Sequence, residues 1–387
     1  MPRPANLHRC TAPASPPSLL RRSNPLPTRL LPTATSIMAT ILASVSVLAC
    51  GTEGPDRPDT GTDAGGASAA VDRLTGSYVG QTPPGGTAEI FAPGVVTTGV
   101  YTRDVAMMPD GSELYFGVLL GPVTAIAVTR QGPDGVWSEP EVASFSRDSR
   151  FFNLEPAISP GGNRLMFLST RVEGRDPEPD ELRVWTNEDI WVVDRVGEGW
   201  GEPYNLGPPV NTEDSEFFPS LTRDGTLYFT RGIGDGEQSH IYRSRLVSGE
   251  YQEPERLGPE VNSTDNQFNA FIAPDESYLI LCTGDRDDSL GGTDYYVVFR
   301  SEDDRWSGPI NLGAAVNTPG SGEFSPYVSP DGRYLFFMST RLGARERIPS
   351  TLDWAYIQSY RNQPEIGNAG IYWIDASFIE ALRPDGF

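Results

Sequence analysis

Lysine is absent from this 387-residue sequence, so all 30 of its Lys-plus-Arg residues are arginine, and histidine occurs only at His8 and His240. So few histidines leave neither a His-based catalytic triad nor a multi-histidine metal centre within reach. Cysteine is almost as scarce. Cys10 and Cys50 lie in an N-terminal region expected to be processed, and Cys282 falls in the apolar run Tyr278-Leu279-Ile280-Leu281-Cys282. Cys282 therefore reads as a small buried hydrophobe, with no disulfide framework and no cysteine-based metal site available. Neither a cofactor nor a metal is expected. Positive charge is short as well: 52 acidic residues against 30 basic ones give a formal net charge of −22. Binding to nucleic acid rests on clustered cations that neutralise phosphates, so that class of partner is not expected. The same balance opposes direct electrostatic docking on an anionic bilayer. What the chain has in excess is 41 Gly and 35 Pro, spread between short apolar runs, beside a hydrophobic fraction of 38%. That pattern describes a soluble globular chain with many turns and many short strands.

The one long apolar stretch is 30–49, which follows Arg21, Arg22 and Arg29 and ends Val47-Leu48-Ala49-Cys50-Gly51. A basic flank, an apolar core and small residues before a cut site make a secretory signal. The rival is a spanning helix, which needs about 20 residues, and Pro32 with the many Ser and Thr makes a poor one. Cysteine after Val-Leu-Ala resembles the lipobox of bacterial lipoproteins, whose thiol takes a diacylglyceryl group and whose signal is cut just before it. The resemblance implies a signal over 1–49 and lipidation at Cys50. Residues 50–76 then read as a flexible acidic linker, too poor in apolar surface to pack. The implied address is the periplasm or the cell surface, with a lipid anchor in a bacterial membrane, by expectation the outer one.

Internal repetition is the strongest signal in the chain. Five segments share one frame: Met107-Met108-Pro109-Asp110-Gly111 before Leu114-Tyr115-Phe116, Ile158-Ser159-Pro160-Gly161-Gly162 before Leu165-Met166-Phe167, Leu221-Thr222-Arg223-Asp224-Gly225 before Leu227-Tyr228-Phe229, Ile272-Ala273-Pro274-Asp275-Glu276 before Leu279-Ile280-Leu281, and Val328-Ser329-Pro330-Asp331-Gly332 before Leu335-Phe336-Phe337. The Asp-equivalent positions 110, 161, 224, 275 and 331 give steps of 51, 63, 51 and 56 residues. Steps of about 50 residues rich in short strands suit a four-stranded propeller blade. Proline sets φ and Asp-Gly closes the reversal, so each element joins two strands as a tight hairpin. A third strand follows, as at Asp189-Ile190-Trp191, and a fourth begins at an aromatic and continues through a proline, as at Trp137-Ser138-Glu139-Pro140 or Trp200-Gly201-Glu202-Pro203. Proline suits an outermost strand, and the aromatic suits the wedge between blades.

The last repeat lacks its fourth strand, and the other end of the chain holds a candidate for it. Residues Ala88-Glu89-Ile90-Phe91-Ala92-Pro93-Gly94-Val95-Val96-Thr97-Thr98 parallel Glu202-Pro203-Tyr204-Asn205-Leu206-Gly207-Pro208-Pro209-Val210-Asn211-Thr212. The expectation is an all-β, five-bladed propeller over 77–387, with six blades as the alternative, its ring closed by the N-terminal strand. The Ser-Pro-Asp-Gly-x-x-Leu-x-Phe frame, with Ser-Thr-Arg after it, Gly291-Gly292-Thr293-Asp294-Tyr295 and the Asn311-Leu312-Gly313 to Val316-Asn317-Thr318 stretch, resembles the WD40-like propeller repeat of TolB-type periplasmic proteins. The resemblance implies a binding scaffold in the cell envelope. Gly161 in place of Asp, and Glu276 in place of Gly, put the hairpin shape in doubt at those two turns.

Repeat equivalence also nominates a site. Six residues before each Ser-like position stand Thr102, Asn153, Glu216, Gln267 and Glu323, and the loops after the second strands carry Arg171, Arg231, Arg286 and Arg341. The expectation is one polar ring at a channel mouth, on the face opposite the Pro-Asp-Gly turns. Arginine there suits carboxylate or phosphate, and Phe217, Phe268 and Phe324 nearby suit peptides or sugars. Alternatively, Arg and Glu pair across blades only to hold the ring together. A non-enzymatic scaffold for an envelope protein, peptide or glycan is the leading reading. The competing one is a glycoside hydrolase with Glu216 and Glu323 as its carboxylates. Asp285 to Asp288, with Asp294, reads as a solvated acidic turn, since it lacks the spacing of a calcium loop.

Overall fold

The computed structural model describes residues 74–387, apart from 187, 235–237, 285, 343–348 and 361–362. The signal segment, Cys50, the linker up to residue 73 and Asp285 lie outside the described residues.

Each repeat element forms the hairpin that its chemistry dictates. Tyr101–Met107 turns into Glu113–Leu120, with Gly111 at φ 77° and its N–H donating to the Met108 carbonyl at 2.8 Å. A side chain at such a φ is strained, which is why glycine recurs there. The two departures from the repeat fold alike: Gly162 takes φ 71°, and Glu276 accepts φ 59° while its N–H bonds the Ala273 carbonyl at 2.8 Å.

Five antiparallel sheets result, each built on four strands; Gly199–Trp200 adds a fifth strand to the second, and Leu246–Val247 pairs with Glu250–Tyr251 in a separate two-stranded ribbon. From inside outward, blade 1 comprises Tyr101–Met107, Glu113–Leu120, Val123–Arg130 and Glu141–Val142; blade 2 comprises Asn153–Ile158, Arg164–Ser169, Asp189–Val196 and Tyr204–Asn205. Blade 3 comprises Ser215–Leu221, Leu227–Ile233, Gln238–Ser244 and Glu255–Arg256; blade 4 comprises Gln267–Ile272, Tyr278–Thr283, Asp294–Phe299 and Ile310–Asn311. Blade 5 takes Glu323–Val328, Tyr334–Ser339 and Gly370–Asp375 from the C-terminal end of the chain, and Glu89–Ile90 from the N-terminal segment. The inner strands touch in the closed cycle 1–2–3–4–5–1. The ring therefore has five blades, and the six-bladed alternative falls.

Closure follows the parallel seen in the sequence. Glu89 pairs with Trp373 and Ile90 with Tyr372. Beyond the short outer strand, a side chain continues the pairing. Asn211 accepts from the Ile190 N–H at 3.1 Å and donates to its carbonyl at 2.9 Å. Asn262 and Asn317 do the same to Ile241 and Tyr295, and Thr97, aligned with Asn211, clamps both backbone groups of Ile371 at 3.1 Å. The Val-Asn-Thr motif thus supplies hydrogen bonds that a two-residue strand cannot. Pairing starts slightly before residue 77: Thr75 bridges Val136, and the Trp137 indole donates to the Gly76 carbonyl at 2.7 Å.

The core lies between blades. The outer-strand aromatics fill the wedges, as expected: the Trp200 indole of blade 2 donates to the Tyr115 hydroxyl of blade 1 at 2.7 Å. Trp306 of blade 4 meets Tyr228 of blade 3 edge-on. Cys282 is fully buried, and burial raises its thiol well above the usual range. Among the described residues no helix is long and apolar enough to cross a membrane.

Candidate functional site

Every inner strand is interrupted at one place. The pairing register shifts between Arg103 and Val105, Leu154 and Ala157, Phe217 and Ser220, Phe268 and Phe271, and Phe324 and Tyr327. At each shift one residue adopts positive φ: Asp104 (55°), Glu155 (58°), Phe218 (50°), Asn269 (51°) and Ser325 (63°). Non-glycine residues pay about 1–3 kcal/mol for such a conformation, and a bulge of this kind re-aims the side chain that carries it. Here it aims four polar side chains into one cluster on the propeller axis. The strain recurs in all five blades.

The cluster runs from blade to blade. The Glu155 N–H donates to Asp104 Oδ2 at 3.1 Å and the Phe218 N–H to Glu155 Oε2 at 2.8 Å. Asn269 Nδ2 donates to Ser325 Oγ at 3.3 Å, and the Ser325 hydroxyl donates to Asp104 Oδ1. From blade 3 to blade 4 the link runs outside the cluster, because blade 3 contributes Phe218: the Asn269 N–H donates to Thr230 Oγ1 at 3.0 Å. Arg103 joins the cluster sideways: its Nε donates to Asp104 Oδ1 at 2.8 Å, and its Nη2 to Glu155 Oε1 at 2.6 Å and Ser325 Oγ at 3.1 Å. Three acceptor side chains, Asp104, Glu155 and Ser325, thus surround a single cation, and Asn269 joins them through Ser325. Burial pushes the Glu155 carboxyl up to about 8 against the pull of Arg103, and the neighbouring Asp104 charge adds to the rise.

A cavity of about 210 Å³ adjoins the cluster, with Asp104 and Glu155 in its wall. Apolar side chains, among them Val105, Phe218, Phe271 and Tyr327, share the rest of its wall with Ser159, Ser220 and Arg223, and it reaches the turn residues Pro109, Pro160, Pro274 and Pro330. The cavity therefore lies toward the Pro-Asp-Gly end of the strands, whereas the mouth was expected at the other end. Blade 3 breaks the proline rim with Arg223, whose side chain is exposed.

The nine nominated residues are placed differently from the expected open mouth. Thr102, Asn153, Glu216, Gln267 and Glu323 are at most 2% exposed. Each arginine turns to its own blade: Arg231 Nε meets Glu216 Oε1 at 2.7 Å, Arg171 donates to Asn153, and Arg341 Nε donates to Ser339 at 3.0 Å. Arg286 pairs with Asp288 at 2.9 Å and with Ser263. All four lie over a third-strand aromatic, namely Trp191, Tyr242, Tyr296 and Tyr372. Three of them also bind a backbone carbonyl of the preceding connection: those of Phe145, Val210 and Val316. Arg and acceptor thus pair within a blade, where pairing across blades had been considered. Burial raises both the Glu216 and the Glu323 carboxyl. Glu216 is closed in by Thr212 and Arg231, and Glu323 by Thr318, Ser321 and Ser339. Thr102 Oγ1, Gln267 Oε1 and Glu323 Oε2 remain buried with no donor. In the acidic turn, Asp294 accepts from the Leu290 and Gly291 N–H groups at 2.7 and 2.9 Å, and no acidic, His or Cys cluster suited to a metal occurs among the described residues.

The axial cluster was missed, yet the repeat contains its signal. Two residues after each nominated ring position stand Asp104, Glu155, Phe218, Asn269 and Ser325, polar in four blades within otherwise apolar inner strands. One residue after, Arg103 stands where the other blades have Leu154, Phe217, Phe268 and Phe324.

Five four-stranded blades around a polar axis, closed by an N-terminal strand, define a five-bladed β-propeller. Solved structures similar to the chain include TolB from Acinetobacter baumannii, at TM-score 0.41 and 16% identity over 71% of this chain and 57% of that one. The chain thus spans little more than half of that TolB. Also similar are a thermostable family-43 glycoside hydrolase (TM-score 0.41, 13% identity, 71% of this chain and 88% of that one) and BT0996 in an RGII complex (0.45, 10%, 79% and 93%). No family model and no curated protein sequence matches the chain.

Proposed function

We propose that this chain is a non-enzymatic binding or assembly scaffold of the bacterial cell envelope. It is lipid-anchored through Cys50 and exposed to the periplasm or the cell surface. Its partner is an envelope protein or a peptide segment of one, engaged at the turn end of the propeller axis. The observation that carries this reading is the axial cavity: walls rich in apolar side chains, a rim of turn residues, and two carboxyl groups paired with Arg103. Pockets that enclose a whole small-molecule ligand span about 300–1,000 Å³. At about 210 Å³ this one has room for a side chain, which favours a protein over an oligosaccharide. The lipobox-like segment and acidic linker would hold such a domain off the membrane on a tether.

The glycosidase reading has no comparable support, since Glu216 and Glu323 are both buried, Glu216 against Thr212 and Arg231 and Glu323 with one oxygen against Thr318, Ser321 and Ser339. The purified chain and its Glu216→Gln/Glu323→Gln double variant, assayed on a glycan panel, separate the two. The scaffold reading expects no hydrolysis by either protein. Turnover by the unaltered chain that disappears in the double variant would overturn it.

A further inference from the structure

We propose that the axial cavity recognises a basic side chain, an arginine or lysine presented by a segment of the partner protein and inserted from the turn end toward Asp104 and Glu155. This rests on the scaffold reading above and says which chemical group fills its site.

Three observations on the axis point the same way. First, the cluster carries one guanidinium and two carboxyl groups: its charge balances while Glu155 holds its proton, and it gains a surplus negative charge once Glu155 ionises. The two carboxyl groups line the cavity, whereas Arg103 does not. Second, the cluster lacks donors. Ser325 gives its hydroxyl hydrogen to Asp104, so Asn269 must donate its amide N–H to Ser325 Oγ, which fixes the amide orientation. Asn269 Oδ1 is then left buried, in a residue 1% exposed, with no donor at all. A buried acceptor without a partner costs about 1–3 kcal/mol; Asn269 does not itself line the cavity, so the shortage of donors is a property of the cluster behind the cavity wall. Third, the walls suit the stem of a long basic side chain. Such stems lie along apolar surface while the charged head reaches a polar partner, and the cavity offers proline, Val105, Phe271 and Tyr327 on the way down. At the rim, the exposed Arg223 opposes a second cation, so the inserted residue is a lone basic side chain rather than part of a basic run.

Glu155 makes recognition depend on pH. The charged groups near it are Arg103, Asp104 and Glu188, and of these only Arg103 favours its ionised form. A cation brought against Glu155 adds to Arg103 and drives its proton off. Binding therefore releases protons at neutral pH and tightens as pH rises.

Isothermal titration calorimetry on the intact chain tests this with three probes of matched shape: n-butylguanidinium, n-butanol and n-pentanoate. Guanidinium is expected to bind at least tenfold more tightly than butanol, with no detectable pentanoate binding. It should release protons, seen as a dependence of the heat on buffer ionisation enthalpy. Glu155→Gln should weaken guanidinium at least tenfold. Should that variant fail to fold, Ala157→Phe, which fills the cavity and leaves the carboxyl groups in place, should abolish binding by itself. Butanol or pentanoate binding as tightly as guanidinium, with loss in Ala157→Phe, overturns the basic-side-chain inference and leaves the axial scaffold standing. No binding by any of the three overturns the inference and removes the cavity from the scaffold reading as well. Guanidinium binding unchanged in Ala157→Phe also overturns the inference, because the cation then binds elsewhere.

Discussion

Replacing Phe91 by alanine tests whether the N-terminal segment closes the ring. Phe91 lies just past the closing strand, has no exposed surface, and packs edge-on against Phe336 at 4.9 Å and Trp373 at 5.2 Å between ring centroids. Truncating a buried phenylalanine to alanine costs about 3–5 kcal/mol. With an unfolding entropy of about 2.1 cal/mol/K per residue over a domain of roughly 310 residues, that lowers Tm by about 5–8 °C. Thr97→Val separates hydrogen bonding from packing. It keeps the volume but orphans the buried Ile371 N–H, while the Ile371 carbonyl keeps the Phe91 N–H at 2.8 Å. One orphaned donor costs about 1–3 kcal/mol, so the loss is smaller than for Phe91→Ala. Glu89→Ala, in the closing strand itself but exposed, should stay within about 0.5 kcal/mol. Scanning calorimetry or urea unfolding monitored by Trp fluorescence reads all three, and a single cooperative transition should move as a whole. Deleting residues 77–98 should abolish that transition. Unchanged Tm in Phe91→Ala, or a truncated chain that melts like the intact one, would refute closure by this segment.

The axial cluster predicts that Arg103→Leu strands two buried carboxyl groups at a cost of about 3–5 kcal/mol. Adding Asp104→Asn and Glu155→Gln should recover much of the loss in the urea midpoint, and no recovery would show that Arg103 acts by packing alone. The Glu155 carboxyl titrates near 8 when folded, above the ordinary carboxylate range. Between the two, the folded chain keeps a proton that the unfolded chain has released, so stability falls as pH rises through that window. Relative to Glu155→Gln, the unaltered chain should lose stability from about pH 5 to pH 8, and parallel curves would contradict the placement of Glu155. Cys282 should resist iodoacetamide in the native chain and react in urea, as read by peptide mass mapping; rapid native labelling would contradict its burial.

Blade number, hairpins, wedge aromatics and ring closure were legible in the sequence because each rests on local chemistry that recurs. Pro-Asp-Gly makes the same turn wherever it falls, and Glu276 shows that the surrounding strands impose the turn even without glycine. The parallel between Val96-Thr97 and Val210-Asn211 was legible for the same reason, although the clamp on the third strand was not. The site was misjudged through a regularity that fails. Counting back from the turns assumes an unbroken strand, whereas every inner strand carries a bulge that reassigns which side chain meets the axis. The arginines after the second strands looked available for a ligand because sequence cannot show that Trp191, Tyr242, Tyr296 and Tyr372 lie beneath them. Arg103, alone among Leu154, Phe217, Phe268 and Phe324, was visible as a break in the repeat.

The account stands most directly on where the partner docks. A photo-crosslinking residue placed in turn at Pro109, Arg223 and Pro330, and at Leu120 and Trp354 on the other end of the blades, reads this in the native envelope by mass spectrometry. The account predicts one partner protein crosslinked from the three turn positions and lost in Ala157→Phe, with Tm unchanged. Crosslinks to that partner confined to Leu120 and Trp354, and indifferent to Ala157→Phe, would contradict it.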